Sequence, residues 1–468
     1  TLLEGGVIPP PPGRRLLGLL LDLARVPLAE IRIDPALGDL YSNREHWISA
    51  RDAEAGGWLS AGRARREATT VGYRLAVRRR LLGLAAAVAA AARAALDQAE
   101  RHAGTLMPDY TYLQQAHPTT LGHYLTSFVY PMLRDLERLE GCFARANTGA
   151  GGVGSINGSR LPLDRDRLAG VLGFDGPIEH TRDAMWQADA PVETMAAVVA
   201  CLVNLDRLAE DLMIWATTEF GLVELADRHS RASVIMPQKK NPYALAWVRG
   251  LSHAMIGRLA SMAAVGCTPS AQVDNRIFAY GEVPRALDEA AAAARLMGKV
   301  LEGLAVDTAL MARRAMDGHA QATDLAEVIM SERSLNYREA HRIVGLVVRL
   351  AIEQGRPLRT VDTGLIDEAA RTVVGRPLDL APALVAGAVD PVQVVESRTG
   401  RGGAAPASVR RMIEECRHRM GGAEARCLDA QARLRTAEAR LVARAAELCC
   451  THAANGTRPT REEKEPCS

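Results

Sequence analysis

Residues 230–242, SRASVIMPQKKNP, bring a serine, two lysines and an asparagine into a short stretch ahead of an apolar helical run. A hydroxyl beside fixed positive charge gives up its proton more readily, so Ser233 has the makings of a base or nucleophile. Asn241 followed by Pro242 reads as the cap and first residue of a helix reaching about Ala264. The free N–H groups at such a helix start, with Lys239 and the Asn241 amide, suit a carboxylate. Taken alone, the same residues also fit a capped helix with solvated lysines.

A loop of that kind needs a scaffold to place it. The chain has 468 residues, enough for a sizeable core divided among roughly three domains. Its 57 basic and 55 acidic residues leave a net charge of +2, which gives no global case for nucleic acid or an anionic membrane. A local basic site for a small anion remains open. The longest apolar run, residues 81–96, is broken by Arg93 and falls short of the ~20 residues a bilayer span requires. The opening residues show no leader pattern, PPPPGRR at 9–15 reads as a stiff exposed lead-in, and the expected location is the cytoplasm. Eight cysteines without a CxxC pair argue for free thiols; neither a metal nor a cofactor is expected.

Alanine, leucine and arginine dominate, aromatics are 4% of residues, and apolar positions recur at helical spacing, so the expected fold is mainly all-α. In 193–220 one face carries Met195, Val198, Val199, Leu202, Leu205, Leu208, Leu212 and Trp215. That face looks longer than one subunit needs and suits a bundle shared between copies. A further long helix is expected over about Gly281 to Leu304. Breaks near 105 and 356 suggest an N-terminal helical domain (1–105), a central long-helix bundle carrying the 230–242 loop (106–355), and a C-terminal helical domain ending in a disordered polar tail (356–468). Two glycine-rich loops, 149–159 and 398–403, lack the Lys-Ser/Thr ending of a phosphate loop.

SVIMPQKKNP resembles the signature loop of the fumarase/aspartase superfamily, in the Q-K-K-N-P form of argininosuccinate lyases. Five more stretches extend the resemblance in order: AGRARRE (61–67), MPDYTYLQQAHPTTLGHYL (107–125), RLPLDRDRLAGVLGF (160–174), ATDLAEVIMSERSLNYREAHRIVG (322–345) and RTGRGGAAPASV (398–409). The resemblance implies three mostly helical domains, a homotetramer with a twenty-helix core, and composite active sites each built from three subunits. It also implies β-elimination of a succinyl-type dicarboxylate to give fumarate. Ser233 then inherits the role of the base that removes the Cβ proton. Lys239 and Asn241 inherit stabilisation of the aci-carboxylate dianion. Thr111 and Gln114 match substrate-binding positions, Arg65 matches a carboxylate contact, and Arg66 stands beside it.

The departures bear on the substrate. Tyr112 replaces the histidine that helps protonate the leaving nitrogen, and Ala246 replaces the acidic residue that orients it. Val234 and Ala232 replace a serine and a glycine of the loop, while Ala64 and Arg66 replace a serine and an asparagine. Segment 268–290 has no clean counterpart of the tyrosine and lysine that grip the arginine half of argininosuccinate. Three outcomes follow: Tyr112 serves as the acid, the leaving group needs none, or catalysis has been given up. His117 stands where the family has glutamine and is a possible substitute acid; His180 stands where it has asparagine. His123, His229 and His341 read as structural. The expectation is a lyase with Ser233, Tyr112 and Lys239 as its catalytic residues and a substrate other than argininosuccinate. The alternatives are a non-catalytic structural or regulatory homologue and a true argininosuccinate lyase.

Overall fold

The structure, a computed structural model, describes residues 1–269 and 274–450. The polar tail beyond Cys450 and residues 270–273 of the diverged 268–290 segment lie outside the described residues.

Small side chains decide how the central helices meet. The Arg65–Arg101 helix and the Arg276–Glu302 helix bury alanine-rich faces, including Ala91, Ala94 and Ala95 on one and Ala290, Ala293 and Ala294 on the other. Thr70 Oγ1 lies 2.7 Å from Tyr280 Oη at their first turns, and Gln98 Nε2 donates to the Leu301 carbonyl at 2.5 Å at their last. The two helices therefore run parallel. At Gly298 an added Cβ would lie 3.3 Å from the Ala91 Cα, so the close approach depends on glycine there. Leu121–Ala146, Asp189–Trp215 and Tyr243–Val265 complete the bundle, and the first half of Pro406–Cys450 closes it with Val409, Ile413, Cys416 and Met420. A second apolar core, from Leu325 to Val389, belongs to the shorter helices that follow.

The strands are few and short. Leu106–Thr111 and Gln114–Thr120 form an antiparallel hairpin after the Arg65–Arg101 helix. Val223–Glu224 pairs with Ala305–Val306, and Arg231–Ala232 pairs with Lys240–Asn241.

Several expectations change. The 193–220 helix spans Asp189–Trp215, and its apolar face is buried inside the subunit, with only Val199 half-exposed. That face cannot argue for assembly. The apolar side chains left exposed on the bundle are others, among them Val203, Tyr243, Trp247, Ile256, Ile277 and Phe278. The prolines at 10–12 are no lead-in: they open the Pro10–Arg25 helix, where a missing N–H costs nothing, and Pro12 is buried. The Pro118–Thr120 stretch after His117 is strand, and the helix starts at Leu121 with Thr120 capping it. The Arg65–Arg101 helix belongs to the central core, and the Leu325–Val389 core runs across residue 356.

Candidate active site

Ser233 sits in a tight turn at the end of the Arg231–Ala232/Lys240–Asn241 hairpin. Its Oγ accepts the Met236 N–H at 3.1 Å, and Lys239 N–H donates to the Met236 carbonyl at 3.0 Å. A hydroxyl oxygen already receiving an N–H is better able to carry negative charge, which is what a base needs. Val234 and Ile235 project from the turn almost fully exposed.

Asn241 is not a helix cap. It ends a strand and donates from Nδ2 to the Arg231 carbonyl at 3.1 Å, while the helix starts at Tyr243 behind Pro242 with no side-chain cap. A proline at the cap position offers no oxygen to the first N–H groups, so the amide instead holds the hairpin shut. The two lysines have different partners. Lys240 Nζ lies 2.8 Å from Glu224 and 2.7 Å from Asp227, and these carboxylates hold its pKa above the usual lysine value. Among the described residues Lys239 has no ion-pair partner. Glu224 and Asp227 were missed in the sequence, because only the folded loop brings them beneath Lys240.

Tyr112 and Leu113 form the tip of the first hairpin, between Thr111 and its cross-strand partner Gln114. Both tip residues have positive φ, 53° and 61°. A two-residue turn of this kind favours Asn-Gly, and bulky residues in it cost of order 1–3 kcal/mol each. Strain held at an exposed tip, where Tyr112 is 98% exposed, is what a functional loop tolerates and a scaffold loop discards.

Arg65 and Arg66 open the long Arg65–Arg101 helix. Arg65 lies 3.4 Å from Asp39, and Arg66 lies 3.5 Å from Asp274. Glu67, buried beside them, accepts the Gly152 N–H at 2.6 Å. Burial pushes its carboxyl up, against the N–H groups of Gly152, Gly154 and Val153. The 149–159 glycine loop therefore cradles a carboxylate of the protein itself.

Geometry separates these pieces. Arg66 touches Asp274 at the start of the Arg276–Glu302 helix, whereas the Ser233 hairpin is tied through Lys240 and Glu224 to the strand pair just beyond its end. At 1.5 Å per residue that helix is about 40 Å long. The Tyr112 hairpin lies at the Ser233 end, with Tyr110 packed 5.7 Å from Phe220. Among the described residues no hydrogen bond or ion pair joins any two of the three segments. His123 bridges Thr119 Oγ1 and the Gly402 carbonyl at 3.1 and 3.0 Å, and His229 is buried. His180 caps the Thr181–Met185 helix.

The family described as "Lyase" matches residues 32–257, and that described as "Argininosuccinate lyase C-terminal" matches residues 319–396. Argininosuccinate lyase of Methanothermobacter thermautotrophicus is 33% identical over 88% of this chain and 89% of that protein. The chain belongs to the argininosuccinate lyase family. Its place is within the fumarase/aspartase superfamily, and it is an argininosuccinate lyase-like C–N lyase. The enzyme of the same name from Methanococcoides burtonii is 34% identical over 83% of this chain and 79% of its own. Among solved structures, an EDDS lyase variant with bound fumarate superposes with a TM-score of 0.90 at 28% identity, covering 97% of this chain and 90% of that one. The mainly helical fold implied by the sequence is the fold of this family. No described helix is long and apolar enough to cross a membrane.

Proposed function

We propose that the protein releases fumarate from an N-substituted aspartate, a succinyl-type dicarboxylate, with a leaving amine other than arginine. The observation that carries this reading is the Ser233 turn, whose oxygen is held as an acceptor of the Met236 N–H beside Lys239, which has no ion-pair partner among the described residues. Ser233 removes the Cβ proton. Lys239, Asn241, Thr111 and Gln114 hold the carboxylates and the negative charge that develops on them. Arg65 and Arg66 bind a carboxylate from the far end of the bundle, and Tyr112 gives its phenol proton to the departing nitrogen. Because the two ends lie about 40 Å apart in one subunit, the site is shared between copies. The assembly is a homotetramer whose contacts include the exposed Trp247, Ile256, Ile277 and Phe278.

The relatives named argininosuccinate lyase favour argininosuccinate itself as a second reading. Tyr112 and Ala246, which stand in for the family's histidine and its carboxylate, weigh against it. The deciding experiment follows fumarate release from aspartate, N-methylaspartate, N-(carboxymethyl)aspartate and argininosuccinate. Release from a substrate other than argininosuccinate is the expected result; release from argininosuccinate alone would replace this reading by the second.

A further inference from the structure

The hairpin that carries Tyr112 is irregular, and the irregularity selects one residue. Tyr110 pairs with Gln115 and Pro108 with Pro118, so one residue on one strand faces two on the other. Ala116 and His117 therefore both stand opposite Asp109. Cross-strand partners share a face, and so do alternate residues, which places Asp109, Thr111, Gln114 and His117 on the same face of the hairpin. An unbulged strand would have turned His117 away. The bulge puts the exposed His117 on the hairpin face that carries Thr111 and Gln114.

One buried carboxylate acts on that imidazole. Asp109 stands opposite it in the strand register, but its Oδ1 accepts the Tyr110 N–H at 2.8 Å and its charge is felt by Tyr124 and Asp211. From the Ala322–Arg333 helix comes Asp324, 7% exposed, with Oδ1 bound to Arg398 at 2.5 Å and Oδ2 without a hydrogen-bond partner among the described residues. Burial pushes the Asp324 carboxyl up, while the positive charges of Arg398 and His117 pull it back, and Glu327 adds a further negative charge nearby.

We propose that His117, resting on the lyase reading above, returns to Tyr112 the proton that its phenol gives to the departing amine. The Tyr112 O–H bond breaks as the amine N–H forms. A His117 N–H then breaks as the phenol O–H re-forms, through water across the roughly 10 Å of strand between Gln114 and His117. The neutral imidazole takes its next proton from solvent. His117 acts through Tyr112 and so is a relay residue; the family's lost histidine and carboxylate are replaced by a different pair.

The test measures fumarate release from the best-cleaved compound among aspartate, N-methylaspartate, N-(carboxymethyl)aspartate and argininosuccinate. His117→Gln should lower kcat by ~10²-fold in dilute buffer, the low end for a positioned proton donor, with KM unchanged. Added imidazole should restore kcat. In a Tyr112→Phe background His117→Gln should cost nothing further. An unchanged kcat, a rise in KM alone, no response to imidazole, or an equal loss in the Tyr112→Phe background would overturn the relay while leaving the lyase reading intact. Fumarate release from none of the four by the wild type would overturn both.

Discussion

Proton traffic in the proposed reaction runs through two hydroxyls, each with its own test. Ser233→Ala should abolish fumarate release and leave substrate binding largely intact, because the hydroxyl is needed only as the Cβ proton moves. Calorimetric binding together with turnover would show this. Tyr112→Phe keeps the ring and removes one oxygen, so kcat should fall by ~10²–10⁴-fold if the phenol is the acid. A fall of less than threefold would mean a leaving group that departs unaided. Glu67 makes a prediction about stability. Its folded-state pKa is raised, so the fold prefers the protonated form, and stability is lost as pH climbs from about 4.3, the value of free glutamate, through the folded value. Glu67→Gln should flatten Tm against pH in that range, measured by thermal melts. The identities of Ser233, Lys239 and Tyr112 as candidates were legible because motif residues lie close together in sequence. The role of Asn241 was misread, since a cap and a strand end look alike before the backbone is known.

At the scale of elements, buried arginines hold the ends of helices together. Arg78, 3% exposed, donates to Asn147 Oδ1 and to the Leu172 and Gly173 carbonyls at 2.9, 2.7 and 3.0 Å. Burial brings its pKa down to about 10. Arg78→Met would leave two part-buried carbonyls and the Asn147 Oδ1 without that donor and should cost about 1–3 kcal/mol in denaturant unfolding. The Pro406–Cys450 helix is held differently. Its second half is pinned by exposed pairs, Arg426 with Glu140 at 2.6 Å and Arg433 with Asp175 at 3.3 Å, over a cavity of about 780 Å³, and its last buried anchor is Leu434. Such pairs weaken with salt. Hydrogen exchange in residues 435–450 should speed up in high salt while the Asp189–Trp215 helix stays protected; equal protection at both salts would show that packing, not charge, holds it. Long helices were legible from apolar spacing to within a few residues. The 106–120 hairpin was not, because its two prolines and polar second strand resemble any loop until strand pairing supplies the missing partner.

Across the whole molecule, the sequence pointed to a shared assembly through the wrong surface. The apolar face of Asp189–Trp215 is spent within the subunit, and periodicity cannot say whether a buried face meets its own chain or another. The stronger argument is the length of the Arg276–Glu302 helix, which holds Arg66 and Ser233 at opposite ends. The measurement that tests the account most directly mixes two variants, Arg65→Ala and Ser233→Ala, after dissociation and reassembly. Each alone should release no fumarate. Reassembled in equal amounts, they should recover about a quarter of wild-type activity, because sites that draw arginine and serine from different copies are intact in that share. No recovery, with mixed assembly verified by native mass spectrometry, would contradict a site shared between subunits.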